Sequence, residues 1–394
     1  MTAPGPALTR VATQLRDGGP ASVSGLARAL ALSRTAVENA VTELAALDLV
    51  VDAPRPASRG AGRPARRLAF PAGAGAVAGV DVGTASIRVV LADLAGRVLA
   101  RRTVSGFDLI TRPAERWAGL VDGVTGLLTE AGFDRGALRA VGVSVPGLVD
   151  DAGRVIISSI IPDWSGAVLG DQLSEAFGCP VAVDNDVRLA AVAEHHLGAA
   201  RLVDDLLYVS VGNRIAMGLV LGGQPRRGVH HAAGEVGHLA FGDLGGPTGR
   251  LSWRRAPTAA EVFRLAAAGD AEANTEIDAF IGALARGIAT VAMTVDPAMI
   301  IIGGGLSLAR DQVIDPLRHD LHRVIGLPIA LPVVGGLLGA DASVHGSLVH
   351  AYTRHRRAVY GLDGLPVPTV RTAAVDEPDA AQPADLEQGT TLGR

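Results

Sequence analysis

Apolar positions fall three to four residues apart over 7–15, 24–30 and 34–47, and this spacing predicts three short helices at the head of the chain. In the third, Val37, Val41, Leu44 and Leu47 share one face, and Ser33 stands where a side-chain oxygen would cap the first turn. Only Ala31, Leu32 and Ser33 separate the second helix from the third, which is the connection of a helix-turn-helix. Residues 49–52 and 67–70 follow as the arms of a small hairpin, and 71–78 as an Ala/Gly/Pro linker. Beyond it the pattern changes. Apolar runs of strand length occupy 78–82, 87–93, 139–144, 181–184, 205–211 and 299–302, most of them running into glycine or polar residues. A helix is predicted over 187–197, and another over 279–295 whose apolar residues on most faces suit a position between layers.

Candidate chemistry sits where the runs end. Residues 79–93, GVDVGTASIRVVLAD, read as strand, tight turn and strand. Gly83 and Thr84 are small enough for backbone amides to approach phosphate oxygens, and Asp81 could hold a magnesium ion or its water. Gly212 and the pair Gly304 and Gly305 open two further glycine turns. Asn185 and Asp186 lie at the carboxyl end of a strand, where α/β folds bind ligands. Asp186 is therefore the candidate acid for gripping or deprotonating a hydroxyl, with helix capping as the alternative.

Charge divides the chain as the periodicity does. Residues 1–70 hold nine Arg against five acids, a net charge near +4, whereas residues 71–394 hold 27 Arg against 35 acids, near −8. A basic head suits an anionic partner such as double-stranded DNA. The third helix would present Arg34, Thr35, Glu38, Asn39 and Thr42 to a major groove. The hairpin tip, 55–67, carries Arg55, Arg59, Arg63, Arg66 and Arg67, as a wing crossing phosphates would. A protein-docking module is the alternative for this head. All 36 basic residues are arginine, which reads as the coding bias of a GC-rich bacterium.

The single Cys179 excludes an intrachain disulfide framework and a Cys-based zinc site, and suits a small core residue better than a nucleophile. His195, His196, His230 and His231 are expected in surface or local hydrogen-bonding roles. With no signal core and no uncharged apolar run of 18 residues, a soluble cytoplasmic protein without a membrane partner is expected. The segment 361–394, with four Asp, two Glu and repeated Pro, Ala and Gly, is expected to be disordered.

Together the motifs VDVGTASIRVVLAD, VPGLVD, DNDVRLAAVAE, RGVHHAAGEVGHLAF, DPAMIIIGGGLS and GADASVHGS resemble the ROK family of bacterial sugar kinases and sugar-responsive repressors, and the head resembles the winged helix of its repressor branch. The likeness covers residues 8–357. It implies an α/β fold: a two-lobed, actin-like and ribonuclease-H-like ROK domain over 78–360, preceded by an α+β winged helix-turn-helix domain over 1–72. It also implies a sugar in the cleft, with Asp186 at the kinase base position, Glu235 and His238 at sugar contacts, and Asn185 beside the base.

Departures from the family pattern bear on function. Kinases of the family usually carry Gly-Thr-Gly-Ile-Gly where this chain has Gly212-Asn213-Arg214-Ile215-Ala216, so Arg214 and Ala216 obstruct the approach of phosphates. Arg214 could still attract an anion. The family's zinc-binding cysteines are replaced across 243–252, so no metal is expected; Ser252 and Ile160 stand where Glu and Asn often contact sugar. The resemblance then implies a DNA-binding repressor of carbohydrate genes without catalytic activity or cofactor. Asp81, Gly83, Thr84, Gly212, Gly304 and Gly305 would be vestiges of phosphate loops. A homo-oligomer, a dimer or a dimer of dimers, would bind an operator in response to a sugar or sugar-phosphate effector. Two alternatives stand beside it: an ATP-dependent hexose kinase, and a regulator acting through a non-sugar metabolite or protein partner.

Overall fold

The structure, a computed structural model, describes residues 6–54, 66–108, 110–242, 244, 250–306 and 311–371, with the backbone alone for His238 and Asp311. The head comprises α1 (Pro6–Gly18), α2 (Val23–Leu30), α3 (Arg34–Ala46), β1 (Val51–Asp52) and β2 (Leu68–Ala69). Ser22 and Ser33 cap α2 and α3, each hydroxyl accepting an amide at 3.1 Å from Gly25 and Ala36 respectively. Val11, Leu15, Leu26, Val37 and Leu44 close the head's core. Leu47 departs from the expected face: α3 ends at Ala46, and Leu47 is 39% exposed. β1 and β2 pair antiparallel, Val51 opposite Ala69. Arg55, Arg59 and Arg63, expected on the tip of this hairpin, lie outside the described residues.

The body follows as β3 (Ala76–Val82), β4 (Ser86–Asp93), β5 (Val98–Ser105), α4 (Pro113–Glu130), β6 (Leu138–Val145), β7 (Leu148–Val149), β8 (Val155–Ile157), α5 (Leu169–Phe177), β9 (Val181–Asn185) and α6 (Asp186–His196). Then come β10 (Leu206–Val211), β11 (Ile215–Leu221), β12 (Gln224–Pro225), α7 (Gly237–Ala240), α8 (Ala259–Ala267), α9 (Ala271–Val295), β13 (Met299–Gly303), α10 (Asp311–Ile325), β14 (Val333–Gly335), α11 (Ala342–Arg354) and α12 (Arg356–Tyr360). One sheet has the order β5-β4-β3-β6-β9 and another the order β12-β11-β10-β13-β14. In each, three antiparallel strands lead into two parallel ones. The second lobe thus repeats the first. Between the sheets run α11 and α6, and small residues let these layers approach. A Cβ on Gly79 of β3 or Gly142 of β6 would lie 2.6 and 1.8 Å from α11 carbonyls, and one on Gly218 of β11 would lie 2.7 Å from the Val187 carbonyl of α6.

Two expectations change in detail. α9 begins at Ala271 rather than 279, because the Asp270 carboxylate accepts the Ala273 amide at 2.9 Å and caps it. By length and composition α9 could cross a membrane, yet Ile277, Phe280, Ile281, Leu284 and Ile288 are buried in the second lobe's core.

The expected disorder from residue 361 is corrected for 361–371. Leu362, Leu365 and Val370 are buried, and Arg371 pairs with the edge of the first sheet, accepting from the Val98 amide and donating to the Gly96 carbonyl. These apolar side chains join one core with Leu8, Val11 and Leu15 of the head and Tyr352 and Tyr360 of the body. The expected linker is likewise packed, since Ala72 accepts from the Leu94 amide and β3 begins at Ala76.

Candidate functional site

A cleft of about 290 Å³ opens between the lobes, where Asn185, Asp186 and Glu235 meet the two hairpin turns that carry Gly83, Thr84, Gly212 and Arg214. Strand ends of both sheets supply it, because β3, β9 and β10 all run toward the same side. The β3–β4 turn is fixed from behind by a residue the sequence reasoning missed. Arg116 of α4, only 2% exposed, donates to the carbonyls of Gly83 at 2.7 Å, Thr84 at 3.3 Å and Asp108 at 2.7 Å. It was legible as an arginine in the apolar i, i+4, i+8 series with Leu120 and Val124.

Asn185, and not Asp186, caps α6: its side-chain oxygen accepts the Arg188 amide at 2.9 Å, while its Nδ2 donates to the Gly147 carbonyl at 3.0 Å. Its amide group is thereby largely engaged in holding the cleft together. Asp186 is left for the cleft. Burial, then repulsion from Asp81, pushes its carboxyl up to about 7. Glu235 is also held above its ordinary value by burial, against the pull of Arg188.

The shift of Asp186 has a testable sign. Its pKa is raised on folding, so the native state holds the proton longer, and stability falls as pH rises from about 4, where the unfolded group titrates, to about 7. Asp186→Asn should therefore raise the melting temperature at pH 8 and leave it nearly unchanged at pH 4. Because the group opens onto a solvent-filled cleft, we expect about 1–3 kcal/mol at pH 8 rather than the full shift. Equal effects at both pH values, followed by calorimetry, would refute this account.

Glycines deliver Glu235. Gly234 has φ +91°, and a Cβ there would lie 2.0 Å from the Met217 carbonyl; one on Gly237 would lie 2.6 Å from that of Ile215. Larger residues would force the loop off β11. The same loop is tied to the first lobe by Arg227, which pairs with Asp184 at 2.6 Å and with Asp151. Asp184 also pairs with Arg188, so this buried carboxylate carries two guanidinium groups. Asp184, Arg188 and Arg227 were not anticipated: Asp184 and Arg188 stand four residues apart, but nothing in the spacing shows that Arg227 joins them.

Asp81 lies behind the cleft. It accepts from Ser144 at 2.7 Å and faces Arg88 at 3.7 Å, and burial raises its pKa. Gly212 has open space at its Cβ position and borders both the cleft and a neighbouring cavity of about 680 Å³, which Gly305, Leu306 and Phe263 also line. Gly304 has a packing reason to be glycine: φ is +76° and a Cβ would lie 2.7 Å from the Val211 carbonyl. His238 falls on α7, with its side chain outside the described residues, as is most of 243–252. Ile160 lines the cleft, while Trp164 is buried beneath it. Burial pushes the Cys179 thiol up to about 11, so it stays protonated at neutral pH.

On the head, Arg34, Thr35, Glu38, Asn39 and Thr42 are all exposed along α3. Arg34 pairs with Glu38 at 2.9 Å, and Arg66 with Asp52 at 2.6 Å.

The family model for ROK matches residues 77–250 and 247–351. The chain belongs to the ROK family. Among its relatives, the glucokinase of Halalkalibacterium halodurans is 27% identical over 68% of this chain and 92% of its own length. The xylose repressor of Bacillus subtilis is 28% identical over 59% of this chain and 60% of its own length. A solved ROK family transcriptional regulator, a homologue of the E. coli MLC protein, shares the fold over 91% of this chain and 96% of its own, at 23% identity and a TM-score of 0.69. The ROK family thus places both kinases and repressors beside this chain.

Proposed function

We propose that this ROK protein is a DNA-binding transcriptional regulator of carbohydrate genes, a repressor, whose kinase-like cleft senses a carbohydrate effector. The observation that carries the reading is the head: three helices, α2 and α3 capped by Ser22 and Ser33, with one polar face of α3 exposed, set before a ROK body. The fold likeness to a transcriptional regulator supports it, since 91% of the chain is more than residues 76–394 could supply. The glucokinase match takes in 68%.

In this reading α3 enters a major groove, residues 1–72 act as a winged helix-turn-helix, and Arg59, Arg63 and Arg66 approach phosphates or the minor groove. Two heads, in a dimer or a dimer of dimers, meet a palindromic operator in the cytoplasm. Asn185, Asp186, Glu235 and His238 hold the effector. Arg214 in the turn after β10 and Ala216 at the start of β11 speak against phosphoryl transfer, which needs close placement of the terminal phosphate. Asp81, Gly83, Thr84, Gly212, Gly304 and Gly305 then serve as architecture.

Footprinting of the purified protein on the DNA around its own gene, with and without sugars, tests the regulator. A coupled ADP-release assay over a panel of hexoses tests the enzyme. We expect a protected operator and no turnover; hexose-dependent ADP release that Asp186→Asn abolishes would overturn the reading.

A further inference from the structure

Arg214 is the residue that the cleft leaves unanswered. It sits in the turn between β10 and β11, where its carbonyl accepts the Gly212 amide at 3.0 Å, and its side chain lines the cleft opposite Gly83 and Thr84. Its Nη1 is buried, with no hydrogen-bond partner among the described residues. No carboxylate among them lies within ion-pair distance of it, although Asp186 and Glu235 line the same cleft. Arg214 is half-buried, and a buried guanidinium nitrogen without an acceptor is costly; a planar fork of N–H groups is matched by the oxygens of a phosphate.

The facing wall is suited to the same group. Arg116 draws the carbonyls of Gly83 and Thr84 toward α4. A trans peptide sets its N–H opposite its C=O, so the amides of Thr84 and Ala85 point away from α4, toward the cleft side of the turn. At about 290 Å³ the space lies at the lower end of small-molecule sites, roughly 300–1,000 Å³, and suits a monosaccharide. Its other end offers carboxyl groups, Asp186 and Glu235, as hydroxyl partners.

We propose that the effector is a phosphorylated sugar, with its phosphoryl group between Arg214 and the β3–β4 turn and its hydroxyls on Asp186 and Glu235. This rests on the reading of the cleft as an effector site. A substitution that obstructs nucleotide phosphates would thus have made a receptor for one phosphate already attached to the sugar. Asp186 tolerates the added charge because its raised pKa leaves it about half protonated at pH 7.

Calorimetry on the full chain separates the possibilities, using glucose, fructose and mannose, their 6-phosphates, and inorganic phosphate alone. At least one 6-phosphate should bind about ten- to a hundredfold more tightly than its parent sugar, as a charge-assisted contact predicts. Arg214→Gly should erase that difference while Arg214→Lys keeps part of it, with both variants melting within a few degrees of the parent chain. The proposal is overturned if the parent sugars bind as tightly as their phosphates, if inorganic phosphate binds as tightly as the esters, if none binds, or if Arg214→Gly leaves the preference intact. Footprinting without ligand is independent of these outcomes: loss of operator binding in the parent chain would sink the regulator and not the phosphate site.

Discussion

Gly346→Ala is expected to destabilise the protein by about 3 kcal/mol, although alanine is the better helix former. Gly346 lies within α11, and on propensity alone the substitution would gain about 1 kcal/mol. A Cβ there would lie 1.8 Å from the Leu189 carbonyl of α6, and backbone cannot rotate out of the way as a side-chain end can. The two helices must separate, and overpacking of this kind typically costs 1–3 kcal/mol and occasionally more. Gly282→Ala on α9 is the control, because the nearest atoms to a new Cβ are side-chain ends at 3.6 and 3.8 Å. It should stabilise by about 1 kcal/mol. Urea denaturation of both variants gives the two signs. A neutral or stabilising Gly346→Ala would mean that α6 and α11 do not meet as described. The effect should also reach the cleft, because α6 begins at Asp186, and a displaced helix carries that carboxyl with it.

That contact explains why α11 was not recognised as a helix in the sequence. Its buried side sets Gly346, Ser347, His345 and Ala351 among Val344, Leu348, Val349 and Tyr352, so the apolar stripe is interrupted by small and polar residues. Close approach to backbone selects for small size rather than hydrophobicity, so this central helix carried a broken apolar pattern. The strands at 78–82, 139–144 and 181–184 were readable for the opposite reason, being buried on both faces and therefore continuously apolar. For the site, Asp186, Glu235 and the glycine turns were legible because each lies within a few residues of a strand end or a motif. Arg227 reaches Asp184 only through folding, from the other lobe, and there joins Arg188, which stands four residues further along the chain from Asp184. The packing of 361–371 was missed because composition describes the whole tail, whereas Leu362, Leu365 and Val370 act one by one.

Arg16→Leu is expected to release the head from the body and to separate ligand response from DNA binding. Arg16, at the end of α1, is only 6% exposed; its guanidinium donates to the Pro366 carbonyl at 2.6 Å and pairs with Asp17 at 2.8 Å, against Tyr360. Tyr360 in turn donates to the Leu94 carbonyl at 2.9 Å, and Tyr352 of α11 to that of Asp93. Packed groups therefore lead from Asp186 along α6, across Gly346 to α11, and from α11 and α12 to Arg16. Removing the guanidinium deletes its bonds to the Pro366 carbonyl and to Asp17, about 1–2 kcal/mol in all, since both partners are partly open to solvent. That loss falls on one interface, so calorimetric unfolding should change from a single transition to two, the smaller and earlier one belonging to the head. In the proposed regulator, operator affinity should survive while its dependence on effector disappears, because a coupling free energy needs an element that both sites bias. Tyr360→Phe, which loses one hydroxyl bond and keeps the ring, should show the same change more weakly. A single unfolding transition and an undiminished effector response in Arg16→Leu would place the coupling elsewhere.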